Sequence, residues 1–161
     1  MKTKNIRIRN IARGTIPASE IEIAYRKAFN MDATSTIGFA PLIRKIVGRE
    51  ESPFFFADAY YKEADEELIR QILEEDKTDL EQYIEEDLDC DDFAFRLMGV
   101  FHQNLRTAAM PIFITWANTP AGHAILSYYY NGEVFIIEPQ NDEIYSVPKN
   151  WTLILLCGLA G

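Results

Sequence analysis

The sequence contains few of the residues that build disulfide frameworks or metal clusters. It has two cysteines, Cys90 and Cys157, and two histidines, His102 and His123. Two cysteines so far apart do not form a disulfide framework, and a reducing compartment is the usual setting of such a chain. No apolar run approaches the ~18 residues that read as a membrane span, and the N-terminus lacks the apolar region of a secretory signal. We therefore expect a cytoplasmic protein without a transmembrane segment.

Positive charge is scarce and unevenly placed. The net charge is −9, yet residues 1–49 carry 10 Lys and Arg against 3 Asp and Glu, and the remainder carries 6 against 22. A basic segment can attract nucleic acid. Aromatic residues are not interleaved with the basic ones, however, so we expect the segment to lie on the acidic remainder of its own chain. The sequence predicts neither a nucleic-acid partner nor a membrane partner.

The order of the elements predicts one α+β domain in 161 residues. Helical spacing of apolar residues, or β-rich runs bounded by turn residues, predicts the segments. Residues 4–11 read as an edge strand or extended arm, and residues 54–61 as a buried strand or docking segment. Helices are expected at 18–30, 41–47, 65–75, 79–86 and 90–104, and strands at 111–116, 123–130, 133–140 and 151–157.

Cys90 is predicted to be the first residue of a half-buried helix. Apolar residues recur at one-face spacing after it, and Asp89 and Asp92 are placed as an N-cap and capping box. Unpaired N–H groups and the helix dipole stabilise a thiolate at such a position, which makes Cys90 a candidate nucleophile. Four aspartates around the sulfur would raise its pKa, unless they serve as caps or bind a cation.

A hairpin predicts the partners of that thiol. Asn131-Gly132 between two β-rich runs is a strong signal for a two-residue turn. Counting outward from the turn places His123, Glu138 and Gln140 on one face, with His123 and Glu138 as diagonal neighbours. An imidazole oriented by a carboxylate is the base half of a nucleophilic triad. His102 is predicted to point away from the thiol.

Each of these residues also has a structural interpretation. A single cysteine on an amphipathic helix is usually a core residue, and a strand histidine is usually structural. Glu138 would then be a surface ion pair, and Cys157 a core residue. A zinc site of Cys90, His123 and Cys157 lacks closely spaced ligand pairs. The combination of a helix-start cysteine, a downstream histidine and an acid favours a catalytic interpretation.

With these residues identified, residues 54–158 resemble the papain-like cysteine protease domain of fungal agglutinins, of the calcium-dependent fairy-ring mushroom lectin type. The motifs that carry the resemblance are Asp89-Cys90-Asp91-Asp92-Phe93-Ala94, Gly122-His123-Ala124 and Glu138-Pro139-Gln140. A looser version of this pattern is shared with transglutaminase-like enzymes. Residues 1–53 match no family and are predicted to be a basic N-terminal extension of the 54–161 core.

The resemblance implies a papain-like fold, with a helical N-terminal part and the Cys90 helix packed on a C-terminal antiparallel sheet. It implies a triad of Cys90, His123 and Glu138, and an oxyanion hole to which Gln140 and Tyr83 contribute. The calcium dependence of the family implies that the aspartates around Cys90 bind calcium through their carboxylate oxygens. The ligand set that the resemblance implies is Asp87, Asp89, Asp91 and Asp92.

The function expected from this resemblance is a cysteine peptidase, a thiol hydrolase that cleaves amide bonds of a protein or peptide substrate through an acyl-thioester. A transglutaminase or glutamine deamidase would use the same intermediate with another acceptor. A non-catalytic binding protein on the same fold, such as a phage inhibitor of a host factor, is the alternative from a different class. No organic cofactor is predicted.

Overall fold

The structure is a computed structural model that describes residues 15–31, 53–85 and 88–158. The predicted arm at 4–11 and helix at 41–47 lie outside these ranges. The helices are α1 (Ala18–Ala28), α2 (Glu66–Glu75) and α3 (Cys90–Gln103), with a 3₁₀ turn at Thr78–Leu80. The strands are β1 (Ile16–Pro17), β2 (Phe54–Phe55), β3 (Tyr60–Tyr61), β4 (Ile112–Asn118), β5 (Gly122–Tyr130), β6 (Glu133–Glu138), β7 (Glu143–Ser146) and β8 (Thr152–Cys157).

Six strands form one mixed sheet in the order β2-β8-β4-β5-β6-β7. Strand β2 runs parallel to β8, and the other neighbouring pairs are antiparallel. The last strand therefore lies inside the sheet, between β2 and β4, rather than at its edge. Strands β1 and β3 form a separate two-stranded sheet.

The sheet has an apolar core on each face, because successive side chains of a strand point to opposite faces. On the first face, α2 and α3 cover Ile114 of β4 and Leu126 of β5. On the second face, α1 covers Phe113 and Ile125, the neighbours of those residues in sequence. We call these the α2–α3 core and the α1 core. The long buried strands β4 and β5 are shared by both.

A chain of buried hydroxyl groups ties α1 to the middle of the sheet. Ser127 Oγ lies 2.6 Å from the Tyr25 hydroxyl and 2.6 Å from Thr115 Oγ1. Tyr25, Thr115 and Ser127 are all completely buried. Burial raises the pKa of Tyr25, so this hydroxyl keeps its proton and needs a partner inside the protein.

The β5–β6 hairpin confirms the predicted turn. Tyr130 pairs with Glu133, and the register continues to Leu126 and Ile137. Asn131 and Gly132 have φ angles of 50° and 87°. Both central residues of a type I′ turn require positive φ, which the Asn-Gly sequence tolerates well.

The predicted fold class is wrong in its arrangement. The protein is not a helical N-terminal part packed on a C-terminal sheet, because α1 covers one face of a mixed six-stranded sheet and α2 and α3 cover the other. Residues 54–61 are not one strand either. They form β2, which joins the large sheet, and β3, which pairs with β1. Helix α1 belongs to the core, and the division of the chain at residue 53 stays a prediction.

The predicted helix at 79–86 is also wrong. Only Thr78–Leu80 forms a 3₁₀ turn, and Ile84 then makes an isolated bridge with Leu88. The apolar residues that suggested a helical face are exposed, at 73% for Leu80 and 48% for Ile84. The helix at 65–75 is confirmed, with Asp65 as its N-cap accepting from the Leu68 N–H. Within the described ranges, every helix falls short of the length and apolarity needed to cross a bilayer.

Candidate functional site

The first element of the site is the start of α3. Cys90 is the first helical residue, and Asp89 is the N-cap in an extended conformation. Asp92 Oδ2 accepts the Asp89 N–H at 3.3 Å, and the two residues form a capping box. The predicted helix start and capping arrangement are confirmed. Asp92 is engaged in this cap and therefore already has a structural role.

The Cys90 thiol lies against the beginning of β5. It is half-buried and packs on the α2–α3 core. The backbone N–H of Ala124 donates a hydrogen bond to Sγ at 3.4 Å. Ala124 directly follows His123, so the fold brings the helix-start cysteine and the strand-start histidine to the same end of the sheet.

His123 and Glu138 form the second element of the site. His123 Nε2 lies 2.7 Å from Glu138 Oε2, and the two side chains are 24% and 13% exposed. The imidazole is also in an edge contact with the Trp151 ring, with centroids 6.3 Å apart. The contact predicted from the hairpin register is confirmed. A carboxylate in this position holds one ring nitrogen and stabilises a positive charge on the ring.

Two further groups lie next to the Glu138 carboxylate. The Gln140 backbone N–H donates to Oε1 at 3.5 Å. Tyr145 lies near this carboxylate, and burial followed by the charges of Glu138 and Glu143 raises the pKa of Tyr145 to about 12. Tyr145 therefore stays protonated and keeps a donor hydroxyl beside Glu138.

Gln140 is close to Glu138, but for a different reason from the one predicted. Strand β6 ends at Glu138, and Gln140 lies in the turn that leads to β7. The hairpin register does not extend to His123 and Gln140, since Pro139 has no N–H to continue the ladder. The prediction that Gln140 shares a strand face with His123 is wrong. The contact with Glu138 is made by the Gln140 backbone.

Tyr83 contacts the side of α3. Its ring stacks on Phe93, with centroids 6.5 Å apart and an interplanar angle of 15°. Tyr83 is 48% exposed. Tyr83 therefore lies beside α3, next to the turn of the helix that follows Cys90. Its predicted contribution to an oxyanion hole stays a prediction.

Two aspartates and the Cys90 thiol form a small group of side chains with metal-ligating atoms. Asp89, Cys90 and Asp91 each offer a ligand atom, and these atoms lie within 4.8 Å of one another. Asp89 Oδ1 is buried and has no hydrogen-bond partner among residues 15–31, 53–85 and 88–158. A hydrogen bond that Asp91 donates to the Asp89 carboxylate raises the pKa of Asp91. Asp87 lies outside the described residues.

The other histidine and cysteine are placed elsewhere. His102 lies in the last turn of α3, where burial lowers its pKa and the nearby Asp58 opposes that effect. Cys157 lies in β8, and burial raises the pKa of its thiol. In the described part of the chain, the group of metal-ligating side chains combines Cys90 with aspartates rather than with His123 and Cys157.

The hydrogen bond of the Cys90 thiol differs from that of a catalytic thiol–imidazole pair. Over the described ranges, Sγ accepts from the Ala124 backbone, and no bond joins it to the His123 ring. Ala124 belongs to the α2–α3 core, whereas the neighbours of His123, Trp151 and Tyr145, pack on the α1 core. Residues 123 and 124 alternate between the two faces, so the imidazole and the Ala124 side chain project from opposite faces.

Sequence reasoning missed three groups of this site. Trp151 packs on His123, Tyr145 lies near Glu138, and the Ala124 N–H binds the thiol. Tyr145 pairs with Ile136 in the β6–β7 ladder. A sequence prediction that included β7 as a third strand would have placed the Tyr145 side chain near the end of β6. The sequence pattern contained no comparable signal for Trp151.

Comparisons with known proteins identify structures of similar fold. No protein-family model matches the chain, and no curated protein matches it. A structure described as the PSL1a–E64 complex has a TM-score of 0.55 and 18% identity, over 65% of this chain and 42% of that one. A Polyporus squamosus lectin bound to the human-type influenza-binding epitope Neu5Acα2-6Galβ1-4GlcNAc has a TM-score of 0.63 and 15% identity, over 88% and 48%. This chain therefore spans less than half the length of either, and the likeness concerns the fold.

These comparisons correct the family and the activity expected from the sequence. One of the similar structures is described as a lectin and neither is described as a peptidase, so the interpretation as a papain-like cysteine protease is wrong. The comparisons also contradict the expected functions of hydrolase, thiol protease, and transglutaminase or deamidase. A catalytic triad that hydrolyses a substrate is therefore not part of the function inferred for this chain. The coarser expectation of a binding partner is retained, but a peptide substrate that the protein cleaves is not.

Proposed function

We propose that this chain is a non-catalytic ligand-binding module whose binding surface is the Cys90 site, formed by Cys90, His123, Ala124 and Glu138. The observation that carries the proposal is the 2.7 Å contact between His123 and Glu138, next to a thiol held by the Ala124 N–H. These groups lie at one end of the sheet, where Cys90, His123 and Glu138 are partly buried and Ala124 is buried. The description of one similar structure as a lectin supports binding rather than turnover.

The ligand class that suits this site is a thiol-reactive, peptide-like molecule of the E64 type. E64 is the ligand named for one structure of similar fold. It is an epoxide, so capture by Cys90 would form a C–S bond, break a C–O bond of the ring, and leave a hydroxyl after proton uptake. The thiolate is the reacting form of cysteine. No hydrogen bond joins the His123 ring to Sγ within the described residues, so the imidazole that Glu138 orients accepts the thiol proton in this proposal only after the ring turns toward Sγ.

The remaining predicted residues have supporting roles in this proposal. Gln140 steadies Glu138 through its backbone N–H. Tyr83, stacked on Phe93, offers a half-exposed aromatic surface beside α3 for the apolar part of a ligand. Neither residue is needed for the reaction of the thiol. Both would affect affinity more than the rate of capture.

Calcium remains part of the proposal as a structural ion at the start of α3. Asp89 and Asp91 suit it, since calcium prefers carboxylate oxygens and Asp89 Oδ1 is buried without a hydrogen-bond partner in the described ranges. The ion would supply positive charge that offsets the aspartates around the thiol. Asp92 is already used in the capping box.

The test is covalent labelling with E64, followed by mass spectrometry of the intact chain. We expect one equivalent on wild type and on the matched control Cys157→Ser, none on Cys90→Ser, and slower labelling of His123→Ala. Labelling of Cys157 at the same rate would contradict a specific site. Release of peptides from casein by wild type but not by Cys90→Ser would contradict a purely binding role.

The second candidate ligand is a sialylated glycan. It is supported by the larger of the two structural overlaps, 88% of this chain, with a lectin whose named ligand is Neu5Acα2-6Galβ1-4GlcNAc. Titration of the chain with this trisaccharide tests it. Saturable binding that survives Cys90→Ser would favour a glycan site separate from the thiol.

A further inference from the structure

A cavity lies at the opposite end of the β5–β6 hairpin from His123. It has a volume of about 510 Å³ and is lined by Glu20, Glu63, Tyr129, Tyr130, Asn131 and Gly132, among others. Seven residues of extended strand separate Tyr130 from His123, which is roughly 23 Å. We call this cavity the turn pocket. It is distinct from the Cys90 site, and its volume is in the range that holds small organic ligands.

The charges that line the turn pocket have one sign. Glu20 is in the first turn of α1, and Glu63 precedes α2. No lysine or arginine of the described chain belongs to the lining. The N-terminus of α1 contributes about half a positive charge, which two full carboxylate charges outweigh. The pocket therefore favours a positively charged ligand.

The Glu20 carboxylate is held in a fixed direction. The Tyr129 hydroxyl donates to Glu20 Oε1 at 2.6 Å. Tyr129 is itself 4% exposed, so the donor is anchored in the α1 core. Because this bond uses Oε1, and no residue within the described ranges bonds to Oε2, the second oxygen of the carboxylate keeps its lone pairs for a ligand. A pre-oriented acceptor loses less side-chain entropy on binding than a free surface glutamate does.

The rest of the lining suits an alkyl stem and a cation. Ile16 and Ala64 supply apolar surface in the pocket. Tyr130 is 37% exposed and supplies an aromatic ring, whose face attracts ammonium and guanidinium groups. We propose that the turn pocket binds an organic cation, an alkylammonium or alkylguanidinium, with its charge between Glu20 and Glu63.

The experiment uses agmatine, which carries a guanidinium and an ammonium on a four-carbon stem, and the neutral n-butylurea as its control. The backbone amide signals of Asn131 and Gly132 in ¹H–¹⁵N spectra of the full chain report on the pocket, and that of Ala124 reports on the Cys90 site. We expect saturable shifts at Asn131 and Gly132 with agmatine, none with n-butylurea, and none at Ala124.

Substitutions of the two glutamates test whether they bind the cationic ligand. Glu20→Gln and Glu63→Gln should each weaken agmatine binding about fivefold, the effect of roughly 1 kcal/mol per exposed charge pair. The control Glu75→Gln, an exposed change on α2, should leave it unchanged. Equal weakening by all three variants, or no saturation with millimolar agmatine, would overturn the proposal. E64 labelling of Cys90 is scored separately, so failure here is distinguishable from failure of the Cys90 site.

A second probe distinguishes a cationic side chain of a partner protein from a free amine as the ligand of the turn pocket. If the pocket binds a side chain of a partner protein, the capped peptide acetyl-Gly-Arg-Gly-amide should bind at least as tightly as agmatine. If it binds a free amine, the peptide should bind more weakly. Shifts that spread over all surface amides with either probe would show nonspecific charge attraction and contradict the pocket.

Discussion

Glu138 and His123 are fifteen residues apart in sequence, and their side chains meet at 2.7 Å across the β5–β6 hairpin. The Asn131-Gly132 turn sets this contact, because its two residues fix the register of both strands. Trp151 and Tyr145 then hold the pair from the α1 side of the sheet. The carboxylate is thereby positioned to stabilise a positive charge on the imidazole.

The first prediction concerns that charge. Glu138→Gln keeps the shape of the side chain but removes its charge, so a ring that accepts the thiol proton is less stabilised. We expect alkylation of Cys90 by iodoacetamide near neutral pH to be about tenfold slower, which corresponds to ~1.4 kcal/mol. The matched control is Glu143→Gln, since Glu143 pairs with Glu138 across the β6–β7 ladder. Equal slowing by both variants would show a general charge effect.

The second prediction concerns the buried hydroxyl chain. Ser127→Ala leaves the hydroxyls of Tyr25 and Thr115 buried without the partner they share. We expect a loss of about 2 kcal/mol in the free energy of unfolding, measured in urea. Tyr25→Phe should cost only about 1 kcal/mol, because Ser127 and Thr115 still pair. A larger loss for Tyr25→Phe than for Ser127→Ala would place the main stabilisation in the Tyr25 hydroxyl rather than in Ser127.

The third prediction is a pH dependence. Burial, then the charges of Asp79 and Asp76, raise the pKa of Asp142 to about 6 from 3.8. The folded state thus holds this proton more tightly than the unfolded state, and the stability it contributes below pH ~4 is lost as the pH rises to ~6. Asp142→Asn removes the titration, and asparagine tolerates the φ of 58° at this position.

We therefore expect Asp142→Asn and wild type to differ little at pH 4, and the variant to be more stable by about 1 kcal/mol above pH 6, after discounting for solvent screening. Thermal unfolding at both pH values measures this. Asp79→Asn should give a smaller gain of the same sign. A variant that is less stable at pH 7 would indicate that the ionised carboxylate has an unrecognised partner.

The fourth prediction compares two glycines with open space around them. A Cβ at Gly132 or at Gly99 would meet no heavy atom within 4 Å. Gly132 has a φ of 87°, so Gly132→Ala should destabilise the hairpin by about 1 kcal/mol. Gly99 lies inside α3, so Gly99→Ala should stabilise by about 0.5–1 kcal/mol. Equal effects of both changes on the unfolding midpoint would contradict the assigned turn geometry.

The fifth prediction concerns calcium at the start of α3. Asp89 and Asp91 are close enough for a hydrogen bond between carboxyl groups, which raises the pKa of Asp91. A bound cation would relieve this contact, so millimolar calcium should raise the melting temperature, and a chelator should reverse the change. Asp91→Asn should abolish the response, whereas Asp79→Asn should not. An unchanged melting temperature in wild type would remove the ion from the site.

Short-range features of the fold were predictable from the sequence. The start of α3 at Cys90 follows from the capping residues Asp89 and Asp92, and the hairpin follows from Asn131-Gly132. Both depend on interactions within a few residues of the chain. The contact between His123 and Glu138 follows from the hairpin by counting, because the register is regular up to Leu126 and Ile137.

Features that depend on distant parts of the chain were not predictable. The apolar residues Leu80 and Ile84 have helical spacing, but they meet no core and remain exposed. Phe54 and Phe55 pair in parallel with β8, about a hundred residues later, which local pattern does not reveal. The face that α1 covers is likewise set by the long-range contact of Tyr25 with Ser127. The resemblance to a protease family rested on three short motifs, which do not determine function.

The position of α1 has a consequence for any attempt to isolate the segment 54–161. Helix α1 covers Phe113, Ile125 and Ile136, three completely buried residues of the central strands. A truncated chain without residues 1–53 would expose this apolar face to water and lose Tyr25, one of the two hydroxyl partners of Ser127. Such a fragment would self-associate through the exposed face, so binding measured on it would report on aggregates rather than on the Cys90 site or the turn pocket.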